Sequence, residues 1–73
     1  MRTYKGTTVK VGGVLELKVQ MWTEHNHSTI YDEMGRCLFD GYSLEAYKRF
    51  DEAVDEIIKN ANTCGLGYEI ITK

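Results

Sequence analysis

His25, Asn26 and His27 are the one group in this 73-residue sequence whose spacing suits a metal ion. On an extended segment both imidazoles would project to one side, and Cys37 or Cys64 could complete a tetrahedral set of nitrogen and sulfur ligands. Both cysteines stand alone, however, without the two-residue spacing of paired ligands. Glu24 to Ser28 is a polar stretch between strand-like runs, the composition of an exposed loop. A small metal-binding domain using His25 and His27 is therefore an alternative reading, and no cofactor is expected. Thiol catalysis fares no better, because no orienting group accompanies either cysteine and a histidine. Cys37, next to Leu38-Phe39, reads as a small core residue, and Cys64 as a helix-end residue. Gly65-Leu66-Gly67 follows a helical run and lacks the lysine and hydroxyl of a phosphate loop, so it reads as a helix terminator. No catalytic residue is expected.

The carboxylates are unevenly placed. From Glu24 to Glu56 there are nine acidic and three basic residues, a local net of −6. Residues 1–23 carry Arg2, Lys5, Lys10 and Lys18 against Glu16, a net of +3, and the remainder adds +1. The total of −2 thus conceals a molecule polarised along its chain. An acidic surface of Asp32, Glu33, Asp40, Glu52, Asp55 and Glu56 would dock on a basic surface and compete with nucleic acid there. Part of this charge has a simpler use in helix pairs such as Glu45–Arg49, Lys48–Glu52 and Asp55–Lys59. Glu52 and Glu56, by contrast, are a like-charged pair at four-residue spacing and repel each other mildly. Trp22 falls on the polar side of its strand by parity, near the histidines, and aromatic residues of this kind carry much interface energy. Direct nucleic-acid binding would rest on the four N-terminal cations alone, which makes the basic N-terminal hairpin a second alternative.

These side chains have to be held by a small number of elements. Ala46, Tyr47, Phe50, Ala53, Val54, Ile57, Ile58 and Ala61 recur at three- and four-residue steps, predicting a helix over Leu44–Asn62 with one apolar face. Ser43 is the expected N-cap, Tyr42 and Tyr47 a hydrophobic staple, and Gly65 or Gly67 the terminator. Leu15, Leu17, Val19 and Met21 alternate with Glu16, Lys18, Gln20 and Trp22, as in a half-buried strand. Thr7, Val9 and Val11 alternate upstream. Joining the two runs by a three-residue loop, Gly12 to Val14, pairs Val11 with Leu15 and keeps every apolar side chain on one face. Ser28–Asp32 and Arg36–Asp40 form a second hairpin, with Asp32 and Gly35 at the ends of a type I turn. Its buried face is left open between Ile30 with Leu38 and Tyr31 with Cys37 and Phe39. Tyr68–Thr72 supplies a last strand. The expected fold is α+β in two layers: a mainly antiparallel sheet of four to five strands, order β-β-β-β-α-β, with one helix on one face.

Length and composition bound the function. Residues 1–73 form a single domain, with 42% apolar and 27% charged residues and no proline, whose thin core does not accommodate a deep active site. The pI of about 5.6 opposes non-specific binding to DNA or membranes. No apolar run is long enough to span a bilayer, the first residues lack a signal-peptide core, and two cysteines suit the reducing cytoplasm. The expected function is a small acidic, non-enzymatic protein-binding module whose partner presents a basic surface, with the contact on those carboxylates or on the Trp22–His27 edge; a homodimer is compatible with the size. Short, acidic, poor in cysteine and without a catalytic motif, the chain resembles in general style the small inhibitors of phages and mobile elements, anti-CRISPR proteins among them. That resemblance rests on no specific motif. It implies a partner whose nucleic-acid-binding surface is masked.

Overall fold

The alternating runs pair along their whole length in the computed structural model, which describes residues 2–72. The order is β1 (Arg2–Val11), β2 (Leu15–Glu24), β3 (His27–Asp32), β4 (Cys37–Tyr42), α1 (Ser43–Thr63) and β5 (Tyr68–Thr72). All five strands join one antiparallel sheet in the order β4-β3-β2-β1-β5. One face carries α1, which packs on β1 to β4. This is the two-layer α+β arrangement expected from the periodicity.

Register in the first hairpin follows from where the apolar residues must go. Val11 pairs with Leu15 and Val9 with Leu17 across the loop Gly12 to Val14, so Val9, Val11, Val19 and Met21 all face α1. Gly12 and Gly13 both take positive φ, 63° and 77°, which residues with a Cβ adopt only at a cost. The pairing continues to Arg2 opposite Glu24, beyond the alternation visible in the sequence. A two-residue turn, His25-Asn26, then leads directly into β3.

The second hairpin answers which face is buried. Ser28, Ile30 and Asp32 face α1, Phe39 pairs with Ile30, and Tyr31 pairs with Cys37 on the other side. Leu38 is skipped in this register, so a bulge returns its side chain to the helix side. Cys37 is consequently exposed, not the core residue its apolar neighbours suggest.

The helix begins without the expected cap. Its N-cap is Tyr42, with no side-chain cap hydrogen bond, and the N–H of Ser43 donates to the carbonyl of Asn26 (2.9 Å). The Ser43 hydroxyl is instead the end of a chain, 2.9 Å from Ser28 Oγ, which lies 2.7 Å from Thr23 Oγ1. This chain satisfies Ser28, which is fully buried. Tyr42 is 78% exposed, so the staple with Tyr47 does not form. The C-terminus ends as expected at Gly65 (φ 71°). There Leu66 N–H donates to Ala61 C=O and Gly65 N–H to Asn62 C=O, the paired bonds of a Schellman motif.

Packing divides into two adjoining clusters. Val19, Met21, Ile30, Ala46 and Phe50 form one, and Val9, Val11 and Ala61 the other; Val54 and Ile57 pack against both. The helix therefore runs obliquely, its first half over β2 to β4 and its last turns over β1. Phe50 is the largest fully buried side chain. We expect Phe50→Ala to destabilise the fold by about 3–5 kcal/mol, read as a shift of the urea midpoint. A loss under about 1 kcal/mol would contradict this packing.

Candidate functional site

The oblique helix leaves a groove between its outer side and the turn end of the β3–β4 hairpin. It encloses about 380 Å3. Leu17, Val19, Ile30, Leu38 and Phe39 line it from the sheet, and Ala53 and Ile57 from the helix. Glu33, Glu52 and Glu56 stand along it with Lys18, Arg36 and Arg49. The bulge at Leu38 is what turns an apolar side chain, 48% exposed, toward this space.

Four of the six acidic positions singled out in the sequence, Asp32, Glu33, Glu52 and Glu56, line this one groove. They are not equivalent. Asp32 is 8% exposed and its carboxylate belongs to the turn. Oδ1 accepts from the N–H groups of Met34 and Arg36, each at 2.9 Å, and Oδ2 accepts from Arg36 Nε at 2.8 Å. Glu52 lies 3.8 Å from Arg49, which also reaches Glu45 at 3.5 Å. That sharing replaces the expected Lys48–Glu52 pair and leaves one cation between two carboxylates. Glu33 and Glu56 make no ion pair among the described residues. Lys18, which also lines the groove, likewise makes no ion pair among the described residues. Asp55 lies one step around the helix, in a shallow depression with Glu52, Glu56 and Lys59.

Asp40 and Trp22 fall elsewhere, on the sheet face away from the helix. Asp40 accepts from His27 Nε2 across the β3–β4 pair, and from Thr29 Oγ1 at 3.5 Å. Trp22 is half-buried beside Tyr4, with ring centroids 4.8 Å apart, and the Arg2 guanidinium lies 4.3 Å from its ring centre. The Tyr4 ring also lies over Gly6, where a Cβ would come 2.1 Å from its hydroxyl. These residues form a second, small packed layer, so Trp22 covers its own sheet and lies apart from the groove.

The two alternatives meet specific geometry. His25 sits in a turn at φ 57° while His27 is on β3 bonded to Asp40, so the segment is not the extended one that would align both imidazoles. Among the described residues no group of three or more His, Cys, Asp or Glu is placed to hold a metal ion. The four N-terminal cations do not converge. Lys5 lies on the helix side, with Nζ 4.8 Å from the centre of the Phe50 ring, while Arg2 covers Trp22 on the opposite face. Lys10 stands across from Glu16 on one side and Glu69 on the other.

The groove's acidic side was legible in the sequence as charge, but its apolar floor was not. Leu38 was the signal available, an apolar residue out of phase with its strand, and it carries meaning only once the bulge is known. Comparison with protein-family models, curated proteins and solved structures gives no match.

The Asp32 carboxylate governs the pH response of the groove's sheet wall. Burial pushes its pKa up, but the Arg36 N–H and guanidinium and the Met34 N–H outweigh burial and hold it below the ordinary 3.8. A carboxyl with a lowered folded-state pKa stabilises the fold above its unfolded value, and that contribution is lost as pH falls through the lowered one. Stability should therefore decline with acid below about pH 4, and Asp32→Asn should flatten that decline while lowering stability at pH 7. Urea midpoints measured between pH 2.5 and 7 check this; parallel profiles for the two proteins would contradict it.

Proposed function

We propose that this chain is a small acidic, non-enzymatic protein-binding module, and that its groove takes a basic element of the partner. The observation that carries this reading is the combination of an apolar floor, with Leu38 turned into it by the bulge, and the carboxylates of Glu33 and Glu56 beside it, which make no ion pair among the described residues. Such a surface suits a segment that alternates apolar side chains with Lys or Arg. The apolar contacts supply affinity, and the charges supply orientation and association rate. The sheet wall is held by the Asp32–Arg36 turn, so little ordering is needed before binding.

A partner element rich in Lys or Arg is also what binds nucleic acid, so the module would mask a nucleic-acid-binding surface of its partner. The resemblance in style to small inhibitors of phages and mobile elements points the same way. A cytoplasmic location fits this reading, since Cys37 and Cys64 are both free and exposed, the form a reducing compartment maintains. Among the described residues no helix is long and apolar enough to cross a membrane.

The test is an NMR titration of the full chain with a synthetic peptide alternating Lys/Arg with Leu, and with a Glu/Leu peptide of the same length. The basic peptide should shift the resonances of Leu17, Leu38, Ala53 and Ile57, and the acidic one should not. Glu33→Lys combined with Glu56→Lys should weaken binding at least about tenfold, since each lost charge pair is worth about 1 kcal/mol. Equal binding of both peptides, or shifts centred on Trp22 and Asp40, would overturn the assignment of the groove.

A further inference from the structure

The sheet has two outer edges, and they are built differently. On β4 the bulge at Leu38 breaks the pairing register, and Asp40 and Gly41 follow it. A bulge and a charge are common means of keeping an edge from pairing with another chain. β5 has neither interruption. Its five residues pair with β1 in unbroken register, Thr7 opposite Thr72 through Val11 opposite Tyr68, and Glu69 is the single charge in the strand. Tyr68, Ile70 and Ile71 remain 44%, 46% and 40% exposed because α1 packs on the other four strands. An apolar, uninterrupted edge of this kind is a template for a further strand.

We infer that β5 is the interface of a symmetric homodimer in which the β5 strands of two copies pair antiparallel about Ile70, joining the sheets into one of ten strands. The backbone is in phase for this. Gly12 N–H donates to Gly67 C=O at 2.8 Å, so by alternation Glu69 and Ile71 turn their polar groups toward β1. The N–H and C=O groups of Tyr68, Ile70 and Thr72 then point to the open edge. A two-fold axis at Ile70 places Ile70 opposite Ile70, Tyr68 opposite Thr72 and Glu69 opposite Ile71 of the second copy. No like charges meet, and each strand offers the other the same alternating donors and acceptors, as an isologous contact requires.

The area agrees. The chain exposes 5184 Å2, whereas a compact monomer of 8.4 kDa exposes about 4,600 Å2. Two copies covering that excess together would bury roughly 1,000 Å2, the lower end for a specific interface. The dimer is therefore of modest affinity and leaves both acidic grooves free, on the β4 side of each sheet.

Sedimentation equilibrium of the full chain from about 10 μM to 1 mM should show reversible conversion from 8.4 kDa to twice that mass. Ile70→Lys sets two ammonium groups across the axis and should raise the dissociation constant roughly a hundredfold. Its circular dichroism should match the wild type, since Ile70 is half-exposed in the single copy. Amide exchange of the wild-type chain gives a readout that needs no variant. The N–H groups of Tyr68, Ile70 and Thr72 should become slower to exchange as concentration rises, with no change on β4. A monomer throughout the range, or concentration-dependent protection on β4 in place of β5, would overturn the dimer.

Discussion

One helix, about 10 Å across, has to cover a sheet whose five strands span roughly 20 Å. That mismatch governs the surface of the molecule. The 21 residues of α1 are long enough, at about 31 Å, to cross the sheet obliquely but not to blanket it. Val54 and Ile57 sit where the two packing clusters meet and fix the crossing. On one side of the helix the turn end of β3–β4 stands clear and the groove opens. On the other side β5 keeps its apolar side chains half-exposed. The two surfaces proposed for binding are thus the two areas a single helix cannot reach.

The polar groups that enter the buried layer hold the ends of this arrangement. Ser28 is buried because β3 must pass beneath the start of α1, and the hydroxyls of Thr23 and Ser43 supply its partners. Asn26 contributes its backbone carbonyl to Ser43 N–H, so the turn between β2 and β3 also anchors the helix start. At the far end of the same hairpin, Asp32 draws three donors into the turn. A buried carboxylate without them would be costly, so these bonds tie the turn to the groove wall. The charge that looked available for a partner in the sequence is thereby divided: Asp32 serves the fold, while Glu33 and Glu56 make no ion pair among the described residues.

Much of the architecture was legible because two periods dominate the chain. The three- and four-residue spacing from Ala46 to Ala61 located the helix within a residue or two at each end. The alternation of Val9, Val11, Leu15 and Leu17 determined even the loop length, since only one register places all four on one side, although Leu15 at its end stays exposed. What escaped reading involved interactions without a periodic signal. The strand pairing of residues 2–6 depends on Tyr4 folding over Gly6 and against Trp22, a contact across strands that no local pattern announces. Cys37 was misplaced because a bulge reverses parity at Leu38. Ser43 looked like a cap, yet its hydroxyl is drawn to a buried serine 15 residues away in sequence. The site followed the same rule: charge polarity could be counted along the chain, whereas an apolar floor assembled from β2, β3, β4 and α1 could not.

The central claim is that the oblique helix covers the middle of the sheet and leaves a groove at one corner. Solvent paramagnetic relaxation of the methyl groups, measured with a soluble gadolinium chelate on the free chain at low concentration, tests it directly. Strong relaxation at Leu38 and Ile70, with Val19, Met21, Ile30 and Ala46 shielded, is the result expected from the exposures of these residues. Leu38 shielded to the same degree as Ile30 would mean that the groove is closed, and the account would not stand.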